Sequence, residues 1–588
     1  MKFLGNVLAT IVGIFVFLIL AFFGLIIIAA IAGSGSDMPK VDNNSVIELD
    51  LSTISLDYAG KFKDPFISMI NKEKGIGFID VLSAIENAKE DEKIKGISII
   101  NSSTALGLAQ SKALRDKLEE FKSSGKFIVS YADYFMQNEY YINSVADTIF
   151  LNPIGQMDFK GLASEVMFFK DFQEKSGIKM EVIRHGKYKS AVEPFLANEI
   201  SEENREQIHS LLNSVWSSIV NDISKSRSIS VEELNRIATE LDARTPELAI
   251  KNKLVDKIAY EDEYHNGIRK ALGVEVDKDY KKISIKDYTQ TVSGTPQKGA
   301  AKDRIAVIYA QGEITGGEGN VNYIGEGSMR RSLQEARKNK NVKAIVLRID
   351  SPGGSALTSE LIWREIELTK KVKPIVVSMG NLAASGGYYI ACGANKIIAE
   401  PTTITGSIGV FGALPNFSPL SKRMGINTSL VTTHENAAGY SVFQPLDSKF
   451  TELVTESIEN IYSTFVNRVA TGRNMTIEQV DAVAQGRVWT GTEALENGLV
   501  DQLGGLEIAL EEAAKLAEID SYKTQSFPEY DIKFGFDNMF EYLSLKQSKE
   551  ALIKQEIGEE GYQTLQQLRR MQEKKGVQVL MPFELNIK

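Results

Sequence analysis

Residues 3–36 carry no charged side chain, and the apolar run 7–32 is longer than the ~20 residues a helix needs to cross a bilayer. The run predicts a transmembrane helix rather than a cleaved leader, whose apolar stretch spans only about 7 to 15 residues. Lys2 precedes it, whereas Asp37, Lys40, Asp42, Glu48 and Asp50 follow. This asymmetry predicts that residues 1–6 lie in the cytoplasm and the bulk of the chain on the outer side.

Beyond residue 44 the pattern changes to short β-branched runs separated by amphipathic stretches, and it is written twice. The first copy predicts a strand at GISII (96–100), a helix over 108–121, a strand at FIVSY (127–131) and a short helix around Tyr140. The second predicts AIVLRI (344–349), a helix over 359–369, PIVVSM (374–379) and a helix over 388–394. Tyr140-Tyr141-Ile142 returns as Tyr388-Tyr389-Ile390, and RTPELAIKNKLVDKI from Arg244 parallels WTGTEALENGLVDQL from Trp489. Strands alternating with helices of this length imply parallel pairing with right-handed crossovers, hence a duplicated α/β architecture. The expected organisation is a short linker at 33–44, a first repeat at 45–290, a Gly/Thr/Lys-rich linker at 291–303 and a second repeat at 304–520. A tail at 521–588 follows, with a polar, helix-like stretch at 542–575.

Composition narrows the function more than the fold. With 67 Lys plus Arg against 77 Asp plus Glu, the net charge of -10 provides no basic field for a nucleic-acid backbone. The single cysteine, Cys392, cannot form an internal disulfide. No cluster of His, Cys and carboxylates has metal-ligand spacing, so neither metal nor organic cofactor is expected.

Where the copies diverge, chemistry is indicated. The second copy follows its strand with Asp350-Ser351-Pro352-Gly353-Gly354-Ser355, where the first has Ser102-Ser103-Thr104-Ala105-Leu106. It also has Ala384-Ser385-Gly386-Gly387 where the first has Met136-Gln137-Asn138-Glu139. Paired glycines after a strand free backbone N–H groups to face a ligand, and a serine before two glycines fits a tight strand-to-helix turn. Gly353 or Gly354, with Gly386, are the candidate oxyanion donors for a nucleophilic Ser385. A serine needs a base. The histidines are His185, His209, His265 and His434, and none lies between Ser385 and Thr433. A lysine can serve if burial strips its charge at neutral pH.

The residues of this chemistry resemble a known family. Gly186-Lys187-Tyr188-Lys189-Ser190-Ala191-Val192-Glu193-Pro194-Phe195 is similar to the lysine segment of bacterial signal peptide peptidase A of the long, two-repeat type, and Ala383-Ala384-Ser385-Gly386-Gly387-Tyr388-Tyr389 to its serine segment. With DSPGGS, TGSIGVFG and the N-terminal apolar run, the resemblance reaches to about Gly505. It implies tandem ClpP/crotonase-like domains, each a repeated ββα superhelix, behind a transmembrane anchor. It further implies Ser385 as nucleophile, Lys189 as general base and Ser407 as the hydroxyl that orients the lysine. Lys187 is the nearest decoy. The implied substrates are remnant signal peptides, the implied location the bacterial inner membrane with the bulk on the periplasmic side, and the implied assembly a homo-oligomer, a tetramer in the family. Neither copy holds both parts of the dyad, since Asn436-Ala437 stands near where Lys189 would recur, so the site must straddle an interface within or between chains. A crotonase-like acyl-thioester enzyme and a non-catalytic membrane scaffold are the alternatives on the same fold.

Overall fold

The computed structural model describes residues 39–54, 56–63, 76–101, 103–292, 297–298, 301–530 and 577–580, together with positions 6, 10–18, 20, 21 and 24. Much of the expected transmembrane run 7–32 lies outside the described residues. Within it, residues 10–18 are helical with exposed apolar side chains such as Phe15 and Phe17. Among the described residues no helix is long and apolar enough to cross a membrane. The helical stretch expected at 542–575 also lies outside them.

Each repeat is built on a parallel sheet. In the first, the spatial order is Lys257–Ile258, Thr148–Met157, Phe127–Phe135, Ile94–Ile100, Ser45–Glu48 and Lys282–Ser284. In the second, Ile404–Gly406, Ile375–Ala384, Val342–Ser351, Arg304–Gln311 and Tyr522–Phe527 follow one another, with Lys396–Ala399 also paired to Ile375–Ala384. The duplication extends to individual hydrogen bonds. Tyr140 Oη donates to the Leu254 carbonyl at 2.9 Å, and Tyr388 Oη to the Leu499 carbonyl at 2.9 Å. Asp256 accepts from Ile149 N and Arg227, as Asp501 does from Ile397 N and Arg473.

The second repeat does not stop at residue 520. Tyr522–Phe527 joins its sheet beside Arg304–Gln311, as Lys282–Ser284 joins the first sheet beside Ser45–Glu48. A tail beginning at 521 is therefore corrected: the first residues assigned to it complete the repeat. The strand YKTQSF carries only two large apolar side chains, too few to announce itself by pattern. Farther on, Val577–Leu580 is also a strand.

Both faces of the second sheet are covered, which explains the near-continuous apolar runs in its strands. Ile305, Val307 and Tyr309 share a core with Ile47, Phe78 and Leu114 of the first repeat. Ala306, Ile308 and Ala310 pack on the other face with Ile345 and Leu347. The repeats are thus joined by a continuous hydrophobic core rather than tethered. Buried polar contacts fix their register: Arg348 Nε donates to Asp57 Oδ2 at 2.6 Å, and the rings of Tyr58 and Tyr309 stack 4.4 Å apart.

A third sheet crosses the junction. Lys179–His185 of the first repeat pairs antiparallel with Val410–Asn416 of the second over seven residues, from Val410 opposite His185 to Asn416 opposite Lys179. Val577–Leu580 then lies between Val410–Asn416 and Gly353–Ser355, antiparallel to both.

Candidate active site

Lys189 lies just beyond Lys179–His185, after Gly186-Lys187-Tyr188, so the cross-repeat strand pair carries it into the second repeat. Its Nζ lies 2.9 Å from Ser385 Oγ, 2.8 Å from Ser407 Oγ and 3.2 Å from the Ser407 carbonyl oxygen. All three residues are fully buried. Burial is the one cause acting on the amine, and it pushes the Lys189 pKa well below the ordinary lysine value. Lys187, the decoy, is exposed, with its ammonium over the Tyr188 ring.

The backbone at the serine is strained. Ser385 has φ 55° and ψ -113°, a region that L-residues rarely occupy, between the end of Ile375–Ala384 and the start of Gly386–Ala391. The turn is held by Ser385 N donating to the Gly406 carbonyl at 2.8 Å and by Tyr389 N donating to the Ser385 carbonyl at 2.8 Å. The strand leading into it is shaped by Asp350, whose carboxylate accepts from Leu382 N at 2.9 Å and from Asn381 Nδ2 at 3.2 Å. Burial, with Asp57 close by, pushes the Asp350 carboxyl up to about 7.

The glycines have a steric reason. A Cβ on Gly386 would sit 3.1 Å from Gly353 Cα and 3.2 Å from Gly354 N, and one on Gly387 would sit 2.8 Å from the Ser351 carbonyl oxygen. The two glycine segments therefore face each other at backbone distance beside Ser385. Gly353 N donates to Ser351 Oγ at 3.2 Å.

Two further residues make the lysine slot, and the sequence reading passed over both. A Cβ on Gly486, which has φ +82°, would lie 2.7 Å from Lys189 Cβ; one on Gly409 would lie 3.2 Å from Lys189 Cδ. Gly486 N donates to the Ile408 carbonyl, and Tyr188 N to the Gln485 carbonyl, so the loop at 485–486 clamps the lysine segment against TGSIG. Gly409 belongs to that motif and could have been singled out, whereas Gly486 carries no local signal.

Behind the lysine, Glu202–Arg227 provides a polar buttress. Asn204 Oδ1 accepts from Ser190 Oγ at 2.9 Å, and Gln207 Nε2 donates to the Tyr188 carbonyl at 3.1 Å. One turn farther along the same face, the helix packs on the second repeat, with Leu211 against Ala384, Ile404 and Val488. His185 is structural: its Nδ1 lies 2.8 Å from Glu459 and its ring stacks on Tyr462.

Comparison with known proteins gives a consistent picture. The model of Peptidase family S49 matches residues 120–275 and again 367–520. "Protease 4" of Haemophilus influenzae is 33% identical over 83% of this chain and 82% of its own, and "Protease 4" of Salmonella typhi is 36% identical over 75% and 72%. "Serine protease SPPA, chloroplastic" of Arabidopsis thaliana is 34% identical over 80% of this chain and 69% of its own. Among solved structures, a point mutant of ClpP1 from Listeria monocytogenes aligns with 35% of this chain and 94% of its own, at 15% identity and a TM-score of 0.24, too low to bear on the fold.

Proposed function

The chain belongs to Peptidase family S49 and is a serine peptidase, and from that premise we propose that it hydrolyses peptides with a dyad of Ser385 and Lys189. Membership in this family sets aside the acyl-thioester and scaffold alternatives.

The observation that carries the proposal is the 2.9 Å contact between a fully buried amine and the hydroxyl of a strained serine. A neutral amine has two hydrogens and one lone pair. Donating the hydrogens to the Ser407 hydroxyl and carbonyl oxygens leaves the lone pair for the Ser385 proton, and Ser407 orients the base without adding a charge that would restore protonation. Lys189 takes that proton as Ser385 Oγ attacks the scissile carbonyl. The N–H of Gly386, with that of Gly353 or Gly354, stabilises the oxyanion. Collapse expels the amine, which takes the proton from Lys189, and water, deprotonated by Lys189, releases the acyl group.

The strand Val577–Leu580 between Gly353–Ser355 and Val410–Asn416 supports an extended peptide as substrate, since that is the gap a substrate strand would fill by main-chain pairing. The proposed substrates are remnant signal peptides. The proposed setting is the bacterial inner membrane, with residues 7–32 as the anchor, the bulk on the periplasmic side, and ClpP/crotonase-like repeats assembled as a homo-oligomer, a tetramer by family resemblance. The test is labelling by a serine-directed fluorophosphonate together with peptide cleavage. Both activities are expected in the native chain and neither in Ser385→Ala; label on another serine, or cleavage retained by Ser385→Ala, overturns the dyad.

A further inference from the structure

Lys189 is held to the second repeat by more than its own contacts. The short segment 485–489 stitches it there: Tyr188 N donates to the Gln485 carbonyl at 3.0 Å, Gly486 N to the Ile408 carbonyl at 2.8 Å, and Ser407 N to the Arg487 carbonyl at 2.7 Å. The backbone of Arg487 thus holds the strained residue, at φ 51°, whose hydroxyl faces the amine. Its side chain turns back to the lysine segment.

The guanidinium lies between two rings. Arg487 Cζ stands 5.0 Å from the ring centroid of Tyr188 and 4.3 Å from that of Trp489. Each ring is tied to one half of the dyad. Tyr188 immediately precedes Lys189 in the chain, while Trp489 packs on Gly406, where an added Cβ would lie 2.8 Å from Trp489 Cδ1, and the Gly406 carbonyl accepts from Ser385 N. Arg487 Nη1 also donates to Glu206 Oε1 at 2.8 Å, and Tyr188 Oη donates to Glu206 Oε2 at 3.2 Å. Glu206 is exposed and Arg487 mostly buried, so the stack stands at the rim between solvent and the lysine slot. Arg487 Nε is buried with no hydrogen-bond partner among the described residues. A flat cation so placed is held by ring faces and one carboxylate, a combination that suits the guanidinium fork.

The first repeat, which lacks the dyad, has different residues here. Counting back from the matching helix caps Thr245 and Thr490, Asp242 stands for Arg487 and Arg244 for Trp489, and Asp242 accepts from Arg236 of its own repeat.

We infer that Arg487 is a positioning residue for the general base: stacked between Tyr188 and Trp489, it closes the rim of the lysine slot to water and ties the lysine segment to the turn that carries Ser385. The other charged groups at this segment are Lys187, whose ammonium also lies over the Tyr188 ring, Arg184, whose Nη1 donates to the Lys189 carbonyl, and Glu193, which accepts from Ser201 N and Asn204. Losing Arg487 admits water and removes a cation, and both changes favour the protonated amine.

This inference rests on the proposed dyad, and the test separates the two. The full chain is labelled with a fluorophosphonate across a pH series, and the midpoint of the rate is read for the native chain, Lys189→Ala, Arg487→Met, Arg487→Lys and Trp489→Leu, with folding checked by circular dichroism. Arg487→Met is expected to raise the midpoint by about one pH unit or more, hence to label roughly tenfold more slowly at a fixed pH below it, with KM for a peptide little changed. Arg487→Lys keeps the cation and is expected to recover part of the shift. Trp489→Leu removes one ring and is expected to raise the midpoint by less. In whichever of Arg487→Met and Trp489→Leu is folded, a native midpoint overturns the inference even where labelling is slower, because a merely structural residue leaves the titration of the amine unchanged. A native chain whose midpoint sits at the ordinary lysine value, or a Lys189→Ala chain that labels equally fast, overturns the dyad itself.

Discussion

Lys189 Nζ and Ser385 Oγ stand 2.9 Å apart although 196 positions separate them in the chain. Neither repeat could make this contact alone. The strand that carries Lys189 is held by the second repeat, the serine turn is held by Gly406, and the core beneath both is shared. Duplication followed by divergence leaves one lysine and one serine, each where its own half places it.

In the proposed mechanism Ser407 positions the amine, so removing its hydroxyl should misdirect the base without removing it. Ser407→Ala is expected to lower kcat by roughly 10- to 100-fold with little change in KM, and to be partly rescued by Ser407→Thr. An unchanged kcat would show that the 2.8 Å contact does not orient the base.

The slot for the lysine stem is made of absent side chains. Gly486→Ala places a methyl 2.7 Å from Lys189 Cβ at φ +82°, so peptidase activity should fall by at least about tenfold, with a destabilisation of about 1 to 3 kcal/mol in chemical denaturation. Retained activity would mean that the loop at 485–486 is free to move away.

Much of this was legible in the sequence, and the rest was not for definite reasons. The alternation of β-branched and amphipathic runs gives the strands and helices of both repeats because each strand is buried on two faces. Ser385 was nominated by the divergence of the two copies and Lys189 and Ser407 by resemblance, and the structure brings the three together. Gly486 escaped because its role is to leave room for a residue nearly three hundred positions away, which local pattern does not record. The strand Tyr522–Phe527 escaped because only its two terminal residues are large and apolar, which leaves no alternating pattern to read.

A buried neutral lysine is also a statement about stability. The unfolded chain keeps the proton up to about pH 10.4, while the folded chain gives it up at a depressed pKa. Stability from this group therefore rises with pH between the folded pKa and about 10.4, by about 1.4 kcal/mol per pH unit. Lys189→Met lacks the effect, so its stability advantage over the native chain should be largest below the folded pKa and shrink as pH rises toward about 10.4. A pH-independent difference in denaturation midpoints would mean that the folded amine stays protonated.

The strand Val577–Leu580 occupies the edges of Gly353–Ser355 and Val410–Asn416. A peptide entering that gap must displace it. Deleting residues 577–588 is expected to lower KM for an extended peptide several-fold while leaving kcat nearly unchanged. A KM that stays the same or rises would show that substrates bind elsewhere.

The most direct test of the account is the pH dependence of Ser385 acylation, read as the rate of fluorophosphonate labelling of the full chain. The account predicts a sigmoidal rise with a midpoint well below the ~10.4 of a free lysine, because only the neutral amine accepts the serine proton. It also predicts at least a roughly thousandfold loss of labelling rate in Lys189→Ala. A midpoint at the ordinary lysine value, or equal labelling of Lys189→Ala, would contradict it.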